Sequence, residues 1–519
     1  MLVHTLIQMK TPSLSRVAVI GLLTACLAAA APRSAAAGTV TGSPQEMVLF
    51  PFDDVSLPYQ RGLILTLQSG HKSVVTDPQH PNKPVLSLGA PGSPDDRRIY
   101  FYGTVLFLEG EYRMWYDAFD KEGHRQICYA VSKDGVKWER PKLGLVEYHG
   151  NKDNNLVAID DGQPVRGMCA LVVHDPEDPD PARRYKMVRE IDPSLVLASV
   201  SADGLTWKSV AGNKDIILAN NLEPSGFIKH NGAFYLNGHG GSAPYPLPTR
   251  GDLNPRKRKM ETYVSYDFEH WSSGAHLSFR RDNIPPRPPE TYDIHSGEQV
   301  HLGAGLWDRG NVVLGFYGQY HNPTSDRRTV TVDIGLLVSN DALHFTEPLP
   351  DFKIVSGAEE TDRAEPRITQ AEGFQNIGER SFLYYGIWTE VNRDGPTGVR
   401  IATWPRDRFG YFSPNPATEG SHCISLPITP THDGTKVFIN ASGLSDLSTL
   451  TVEILDDKFR PLPEFSGANS VALQKNGFRQ EVTWKGGNSL GKLRQPFRIR
   501  VNWGGQDPEP AKLHAIYVE

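Results

Sequence analysis

The chain has little of what marks several large classes of protein. Four cysteines occur among its 519 residues, Cys26, Cys128, Cys169 and Cys423, and no two of them are close in sequence. This spacing excludes a disulfide framework and a cysteine metal cluster. Beyond Ala31 no apolar run is long enough to cross a bilayer, so no membrane span is expected.

Charge of one sign is also scarce. The net charge is −6, and the only dense basic run covers residues 256–259. Nucleic-acid binding needs a basic face, so this run is interpreted as a solvated loop and nucleic acid is not an expected partner. A glycine-rich phosphate loop and a hydrolase nucleophile motif are both missing, so no organic cofactor is expected.

The first 37 residues have the pattern of a cleaved secretory signal. Basic residues precede an apolar run from Val17 to Ala31, and Ala35–Ala37 supplies small residues for cleavage. This pattern predicts a secreted or periplasmic protein of bacterial type. Leu23–Cys26 resembles a lipobox, so a lipoprotein anchored through Cys26 at the cell surface is the alternative.

An internal repeat is the strongest signal in the chain. Five segments carry an aspartate followed four residues later by an aromatic residue, and the aspartates recur after 69, 64, 74 and 66 residues. In four copies a serine stands two positions before the aspartate, which favours a tight turn. Short strand-like runs precede each copy, and such units bury their faces only by stacking in a ring. The aspartates of the five copies are Asp134, Asp203, Asp267, Asp341 and Asp407.

The repeat stops near residue 424, and alternating strand-like runs continue to the C-terminus. About ninety residues of this kind predict a β-sandwich. The predicted fold class is therefore all-β, with a five-bladed β-propeller followed by a C-terminal β-sandwich. The predicted domains are a signal peptide over 1–37, the propeller with an N-terminal extension over 38–423, and the sandwich over 424–519. The extension is expected to pack on the ring and to supply a closing strand.

The sequence of one hairpin and of the two segments after it resembles that of a known group of proteins. Tyr129–Trp138 has the sequence Tyr-Ala-Val-Ser-Lys-Asp-Gly-Val-Lys-Trp, and Leu143–Glu147 and Lys152–Leu156 follow it. These segments resemble glycoside hydrolase families 32 and 43, and in particular a bacterial family 32-like subgroup. The resemblance covers about residues 90–519 and implies the same propeller and sandwich. Intact family 32 catalytic motifs are absent, and His174-Asp175-Pro176 is a partial echo of one of them.

The resemblance implies a site at the mouth of the ring, where the innermost strands begin. Glycoside hydrolysis requires two carboxyl groups, and family 43 arranges an Asp, an Asp and a Glu at the first three blades. On this sequence the arrangement implies Asp96 as base or nucleophile, Asp161 as modulator of a pKa and Glu223 as acid. The alternative is that all three are ordinary carboxylates of surface loops.

Other residues near the expected mouth are candidates for contacts with a sugar. They comprise carboxylates and an arginine before the fourth and fifth inner strands, a histidine in a glycine-rich turn and an aromatic ring. No protein metal site is predicted, although a structural Ca²⁺ in the central channel stays open. These candidates are His239, Glu290, Asp293, Glu298, Arg363, Glu365 and Trp388.

Taken together, the sequence favours a secreted glycoside hydrolase that cleaves a plant or algal poly- or oligosaccharide with an acid/base carboxyl pair. A non-catalytic carbohydrate-binding propeller is the main alternative, and a sialidase-like hydrolase is a further one. The expected partner is a carbohydrate substrate, and the oligomeric state is left open by the sequence.

Overall fold

Strands form nearly all of the regular structure in the computed structural model. Helical structure in its described residues is limited to five single 3-10 turns, Pro181–Arg183, Arg327–Thr329, Gly357–Glu359, Pro463–Phe465 and Gly467–Asn469. The structure describes residues 46–71, 83–191, 195–210, 214, 216–217, 222–240, 258–281, 297–324, 326–360, 367–388, 397–430, 432–491 and 493–519.

Three short strands precede the repeat, and five sheets follow them, in which neighbouring strands are antiparallel except for the parallel pair Ala158–Ile159 and Thr206–Ser209. The first three strands are β1 (Met47–Leu49), β2 (Tyr59–Arg61) and β3 (Leu63–Leu67). Sheet 1 contains β4 (Arg98–Leu108), β5 (Glu111–Phe119) and β6 (Arg125–Ser132). Sheet 2 contains β7 (Ala158–Ile159), β8 (Gln163–Pro164), β9 (Met168–His174), β10 (Tyr185–Ile191), β11 (Leu195–Ser201) and β12 (Thr206–Ser209). Sheet 3 contains β13 (Glu223–His230), β14 (Ala233–Gly240), β15 (Lys259–Ser265) and β16 (His276–Phe279).

The remaining sheets complete the repeat and form the C-terminal part. Sheet 4 contains β17 (Gly297–Asp308), β18 (Val313–Asn322) and β19 (Thr331–Ser339), and sheet 5 contains β20 (Ile368–Ile377), β21 (Arg380–Ile387) and β22 (Arg400–Pro405). Seven strands follow: β23 (Gly410–Pro414), β24 (His422–Ile424), β25 (Val437–Ser442), β26 (Thr449–Asp456), β27 (Gly477–Glu481), β28 (Phe497–Gly504) and β29 (Lys512–Val518).

The five repeat sheets form a ring through their first strands. Strand β4 contacts β9, β9 contacts β13, β13 contacts β17, β17 contacts β20, and β20 returns to β4. The return is a parallel bridge between Glu372 and Thr104. This cyclic order of five sheets within the described residues is the arrangement of a β-propeller, and it confirms the predicted fold class.

Every inner strand of the ring carries a β-bulge. The register with the second strand shifts between Tyr100 and Thr104 in sheet 1, between His301 and Ala304 in sheet 4, and at matching positions in sheets 2, 3 and 5. Bulges bend a strand and turn its side chains. In sheet 4 the bulge also places Gly303 at φ +83°, where an added Cβ would meet the Gly238 backbone within 3.0 Å.

The serine–aspartate hairpins tie neighbouring sheets together. In the first copy, Ser132 Oγ accepts the Gly135 amide at 2.9 Å, and Asp134 accepts the next two amides. The same pattern of aspartate-capped amides recurs at Asp203, Asp267 and Asp341. The aromatic residue that follows packs between sheets, as Trp207 does in the cluster that contains Trp115. These residues therefore serve as a scaffold.

The fifth copy departs from this pattern. Asp407 makes no serine–aspartate turn but accepts two hydrogen bonds from Arg309, at 2.6 and 3.2 Å. Asn376 and Tyr517 also donate to it. Tyr411 lies on β23, outside the ring sheets. Asp407 is thus a buried connection between sheets 4 and 5 and the C-terminal part.

The C-terminal strands form two packed sheets, as predicted for a β-sandwich. One sheet has the order β27-β25-β29-β23-β3, with β1 also paired to β29, and the other has the order β2-β24-β28-β26. Apolar side chains of both sheets share one core, which includes Ile439, Val452, Ile499 and Ile516.

The N-terminal extension pairs its strands with the sandwich and also packs on the ring, where Phe50 and Phe52 share a buried core with side chains of sheets 4 and 5. Strands β1, β2 and β3 all pair with C-terminal strands. Beyond them, His71 and Leu86 form isolated bridges with Thr403 and Val399 at the outer edge of sheet 5. The predicted domain boundary after residue 423 falls within β24.

Residues 1–45 lie outside the described residues, so the predicted signal peptide and Cys26 are not part of this description. The three cysteines in the described part of the chain are buried and unbonded. Within the same residues, no helix has the length and apolar character needed to cross a membrane.

Candidate active site

A recessed pocket of about 320 Å³ opens where the inner strands of the ring begin. We call it the front pocket. Its lining combines aromatic rings with charged groups drawn from sheets 1 to 4 and the segment after β21. The lining residues are Arg97, Arg98, Tyr100, Tyr102, Phe119, Gly123, Arg125, Met168, Cys169, Glu190, Glu223, Arg258, His301, Leu302, Arg327 and Trp388. Its size is within the range of ligand pockets.

Glu223, the first residue of β13, lies in the front pocket beside a histidine of the same sheet. Its Oε1 is 3.5 Å from Nε2 of His239, which is directly opposite on β14. Nδ1 of His239 accepts the Leu302 amide at 2.7 Å. A ring nitrogen that accepts a hydrogen bond carries no proton, so the proton of neutral His239 is on Nε2 and faces Glu223.

The charges around Glu223 keep its carboxyl ionised. Burial raises the pKa of Glu223, but the contact with His239 and the positive charge of Arg258 outweigh burial and hold the pKa well below its usual range. Burial also lowers the pKa of His239, which agrees with a neutral ring. An ionised carboxylate suits a base or nucleophile rather than the acid that the sequence predicted for this residue.

Two further carboxyl groups lie close to Glu223, on the second strands of sheets 1 and 2. Glu190 on β10 lines the pocket and is 7% exposed, and Asp117 on β5 is fully buried. Asp117 Oδ2 accepts the amide of Cys169 at 3.1 Å, at the bulge of β9. Burial raises the pKa of Asp117 to about 7, although the amides of Cys169 and Ala170 and the charge of Arg125 oppose the rise.

His301 and Trp388 form a neighbouring part of the pocket wall, with the His301 ring 5.9 Å from that of His239. The rings of His301 and Trp388 lie 4.9 Å apart, and His301 is 4% exposed. Burial, together with the nearby Arg258, lowers the pKa of His301 well below its usual value. Neither ring nitrogen of His301 has a hydrogen-bond partner among the described residues. A neutral imidazole at this wall can donate one hydrogen bond to a ligand and accept another.

Two of the three predicted catalytic residues lie outside the pocket lining. Asp96 precedes β4 as expected, but its Oδ2 turns back to accept the Gly92 amide at 2.8 Å. The next residues, Arg97 and Arg98, line the pocket instead. Asp161 is exposed in the turn between β7 and β8, at the edge of sheet 2 farthest from the inner strand β9. The structure therefore does not bring Asp96, Asp161 and Glu223 together.

The predicted sugar contacts are divided in the same way. Trp388 lines the front pocket, and His239 contacts Glu223 at its edge. Glu298 on β17 lies elsewhere, paired with Arg281 and His321 at 2.7 Å each, and these partners lower its pKa despite its burial. Four predictions fall on residues outside the described part of the chain, namely Glu290, Asp293, Arg363 and Glu365.

The opposite end of the ring holds a second pocket of about 370 Å³, which we call the back pocket. Glu372 lies there, inside β20, and accepts the amides of Phe227 at 2.7 Å and Leu306 at 3.0 Å. Burial raises the pKa of Glu372 well above its usual value, against the effect of those two amides. The Glu372 carboxyl therefore joins sheets 3 and 4 by hydrogen bonds, and we assign it a structural role.

Among the described residues, one group could hold a metal ion by the spacing of its atoms. Asp120, Glu122 and His124, in the turn between β5 and β6, bring their ligand atoms within 4.8 Å of one another. Asp120 already accepts His124 Nδ1 at 2.8 Å and the Tyr148 hydroxyl at 3.1 Å. Hydrogen bonds within the turn account for these contacts, and the group does not line the front pocket.

Sequence reasoning missed Glu190, Asp117, Arg258 and His301. One of them carried a signal in the sequence, because Asp117 is a carboxylate inside the otherwise apolar strand run Met-Trp-Tyr-Asp-Ala-Phe. Such residues are rarely buried without a role. Arg258 was interpreted as part of a solvated loop. Nothing in the sequence marked His301, whose position depends on the bulge of β17.

Neither a family model nor a curated protein matches the chain. The chain is similar to a solved structure described for the GH130 family of mannoside phosphorylases, with 14% identity over 66% of this chain and 95% of that one, and a TM-score of 0.41. A glycosyl hydrolase from Bacteroides ovatus gives 14% identity, 66% and 95% coverage and a TM-score of 0.39. A family 43 arabinoxylan arabinofuranohydrolase from Bacillus subtilis gives 10% identity, 84% and 98% coverage and a TM-score of 0.38. At such TM-scores these likenesses are no basis for assigning an activity, which has to come from the chain's own residues.

Proposed function

We propose that the protein is a glycoside hydrolase whose acid and base are carboxyl groups of the front pocket. One observation carries the proposal: Glu190 and Glu223, on adjacent sheets of the ring, line the same recessed pocket. Two carboxyl groups on either side of a glycosidic bond are the machinery that its hydrolysis requires. An aromatic face at the same pocket, Trp388, offers a surface on which a sugar ring can stack.

We assign different roles in the reaction to the two carboxyl groups. Glu223 is held ionised by the His239 contact and by Arg258, so it acts as the nucleophile or as the base that activates water. Glu190 is the other carboxyl group of the same pocket lining and takes the role of the acid, which gives its proton to the leaving oxygen.

The reaction then proceeds with a balanced transfer of atoms. Glu190 gives its proton to the glycosidic oxygen as the bond from that oxygen to the anomeric carbon breaks. In one course Glu223 bonds to the anomeric carbon, and a water then displaces Glu223 from that carbon while giving a proton to Glu190. In the other course Glu223 removes a proton from the water that attacks the carbon, and this proton returns to Glu190 through solvent. Either way one water is consumed, its hydroxyl remains on the sugar and its other proton restores the acid. His301, with an available N–H, is placed to contact a hydroxyl of the bound sugar.

The setting of the reaction belongs to the same proposal. The signal-like segment over 1–37 supports action outside the cytoplasm. Plant or algal poly- and oligosaccharides are the substrates proposed for a secreted enzyme of this kind. The sandwich that continues the chain supports the ring through shared contacts such as Tyr517 with Asp407.

A release assay on plant and algal glycans tests the proposal with three matched variants. E223Q is expected to lose at least roughly a hundredfold in kcat/KM, since it removes the base or nucleophile. E190Q is expected to lose as much on natural glycans but less on an aryl glycoside, whose leaving group needs no proton. E147Q alters an exposed carboxylate outside the pocket and should keep full activity.

Two outcomes would overturn the proposal. Full activity of both E190Q and E223Q would remove the carboxyl pair from the mechanism. Binding of glycans by the parent protein without any product, on the whole panel, would identify a carbohydrate-binding propeller in place of a hydrolase.

A further inference from the structure

The front pocket is strongly cationic. Among the described residues that line it, five are arginines and two are glutamates. The arginines converge from separate places: Arg97 and Arg98 at the start of β4, Arg125 at the start of β6, Arg258 just before β15, and Arg327 in a 3-10 turn between β18 and β19. A neutral sugar gives no reason to collect five permanent charges at one mouth of the ring.

Three of these arginines, Arg125, Arg258 and Arg327, form no ion pair among the described residues. Arg258 lies over the Tyr320 ring at 5.3 Å, and its Nη1 is buried without a hydrogen-bond partner. A buried donor of a charged group that lacks a partner is costly. The cost disappears when a ligand brings an anionic oxygen to that position.

The back pocket provides an internal comparison. Its lining contains one basic side chain among the described residues that could pair with a ligand, Lys229, together with Asp308 and Glu372. Lys229 is already paired with Asp175 at 2.7 Å. The excess of cations is therefore a property of the front pocket and not of the channel as a whole.

We infer that the front pocket takes a glycan residue that carries a carboxylate, a uronic acid, with the carboxylate bound by Arg258 and the arginines around it. This inference rests on the proposed function and names its substrate class. The planar fork of a guanidinium matches a carboxylate in a bidentate contact. His301 supplies a neutral donor and acceptor for the sugar hydroxyls on the same wall. Arg327, 5.5 Å from the Trp388 ring, holds positive charge at the rim, where an acidic chain approaches.

Binding of free monosaccharides tests the inference without any hydrolysis. The probes are D-galacturonate and D-glucuronate, each paired with its methyl ester, and galactose 6-sulfate. By titration calorimetry at low salt, the intact protein is expected to bind at least one uronate roughly tenfold or more tightly than its ester. Binding of that uronate should weaken as salt is raised, because the contact is between charges.

Variants locate the effect. R258M is expected to remove the preference for acid over ester, and R258K, which keeps the charge but not the fork, should retain part of it. R327M removes a positive charge at the rim of the pocket and should also weaken uronate binding. Because Arg327 is exposed, this variant is expected to fold as the parent does. R61M, an exposed arginine on β2 far from the pocket, should bind as the parent does.

Several outcomes would overturn the inference. Equal binding of uronates and their esters, or no binding of either, would show that the pocket does not recognise a carboxylate. Stronger binding of galactose 6-sulfate than of both uronates would replace the carboxylate with a sulfate ester. Hydrolysis of neutral glycans with no uronate preference would contradict this inference alone, whereas uronate binding without hydrolysis of any acidic glycan would contradict the proposed function alone.

Discussion

His239 presents Nε2 to Oε1 of Glu223 at 3.5 Å while its Nδ1 accepts the Leu302 amide. Leu302 lies in the bulge of β17, so a backbone group of sheet 4 determines which nitrogen of a sheet 3 histidine carries the proton. The protonation state of the candidate base thus depends on the packing of two adjacent sheets.

Replacement of His239 is expected to change the pH dependence of catalysis. In H239F the carboxylate loses its neighbouring N–H, so the pKa of Glu223 should rise towards its usual value. The acidic limb of kcat/KM should then move to higher pH, with H239Q, which can still donate, in between. The control is H174Q at the back pocket. Superimposable limbs for H239F and the parent would contradict the prediction.

Removal of the Asp117 charge should make stability less dependent on pH. The pKa of this carboxyl is raised from 3.8 to about 7 in the fold, so the folded state holds a proton that the unfolded state has released between these values. The parent therefore loses free energy of unfolding as pH rises through this window, by up to about 1.4 kcal/mol per pH unit. D117N should not show this loss.

Urea unfolding from pH 5 to pH 8 measures the effect. The advantage of D117N over the parent should grow as pH rises, while D446N, at an exposed carboxylate, should run parallel to the parent. A constant difference between D117N and the parent across this range would show that Asp117 does not titrate there.

The Arg309–Asp407 pair should be a large contributor to stability. Asp407 is 1% exposed and joins Arg309, Asn376 and Tyr517. R309M leaves a buried carboxylate without its cation, which costs about 3–5 kcal/mol in known cases. K142M breaks the exposed pair with Asp153 and should cost about 1 kcal/mol or less. Similar unfolding midpoints for R309M and K142M in urea would refute the assignment.

The aromatic residues of the repeat hairpins should differ in how much they contribute to the free energy of unfolding. Trp207 is fully buried between sheets 1 and 2, whereas Trp138 is partly exposed. W207A should lower the free energy of unfolding by about 3–5 kcal/mol, and W138A should lower it by clearly less. Denaturant unfolding of both variants, followed by far-UV circular dichroism, makes the comparison. A larger loss in W138A would place the main inter-sheet contact elsewhere.

The ring was predictable because its signals are local and recur. Serine, aspartate and an aromatic residue at fixed spacing encode one hairpin, and four copies of it appear in the structure as the sequence suggested. The fifth copy kept the spacing but lacked the serine, and Asp407 proved to serve another contact.

The site was less predictable because it depends on register. A bulge decides whether a side chain faces the channel, and no residue type in β17 signals that His301 will do so. Asp161 stands before β9 in sequence, but a small hairpin carries it to the outer edge of sheet 2. Arg258 could be recognised as a site residue only once the fold had brought it near Glu223 and Tyr320, because these residues are far apart in the sequence.

The pairing of β1 with β29 has a consequence for the order in which the molecule assembles. Met47 pairs with Val518, and His71 and Leu86 form bridges with Thr403 and Val399, which come much later in the chain. A chain emerging from the ribosome therefore exposes its earliest strands long before their partners exist, and such distant pairings form slowly. The fold is therefore complete only after the last strand, β29, has been synthesised and has paired with β1.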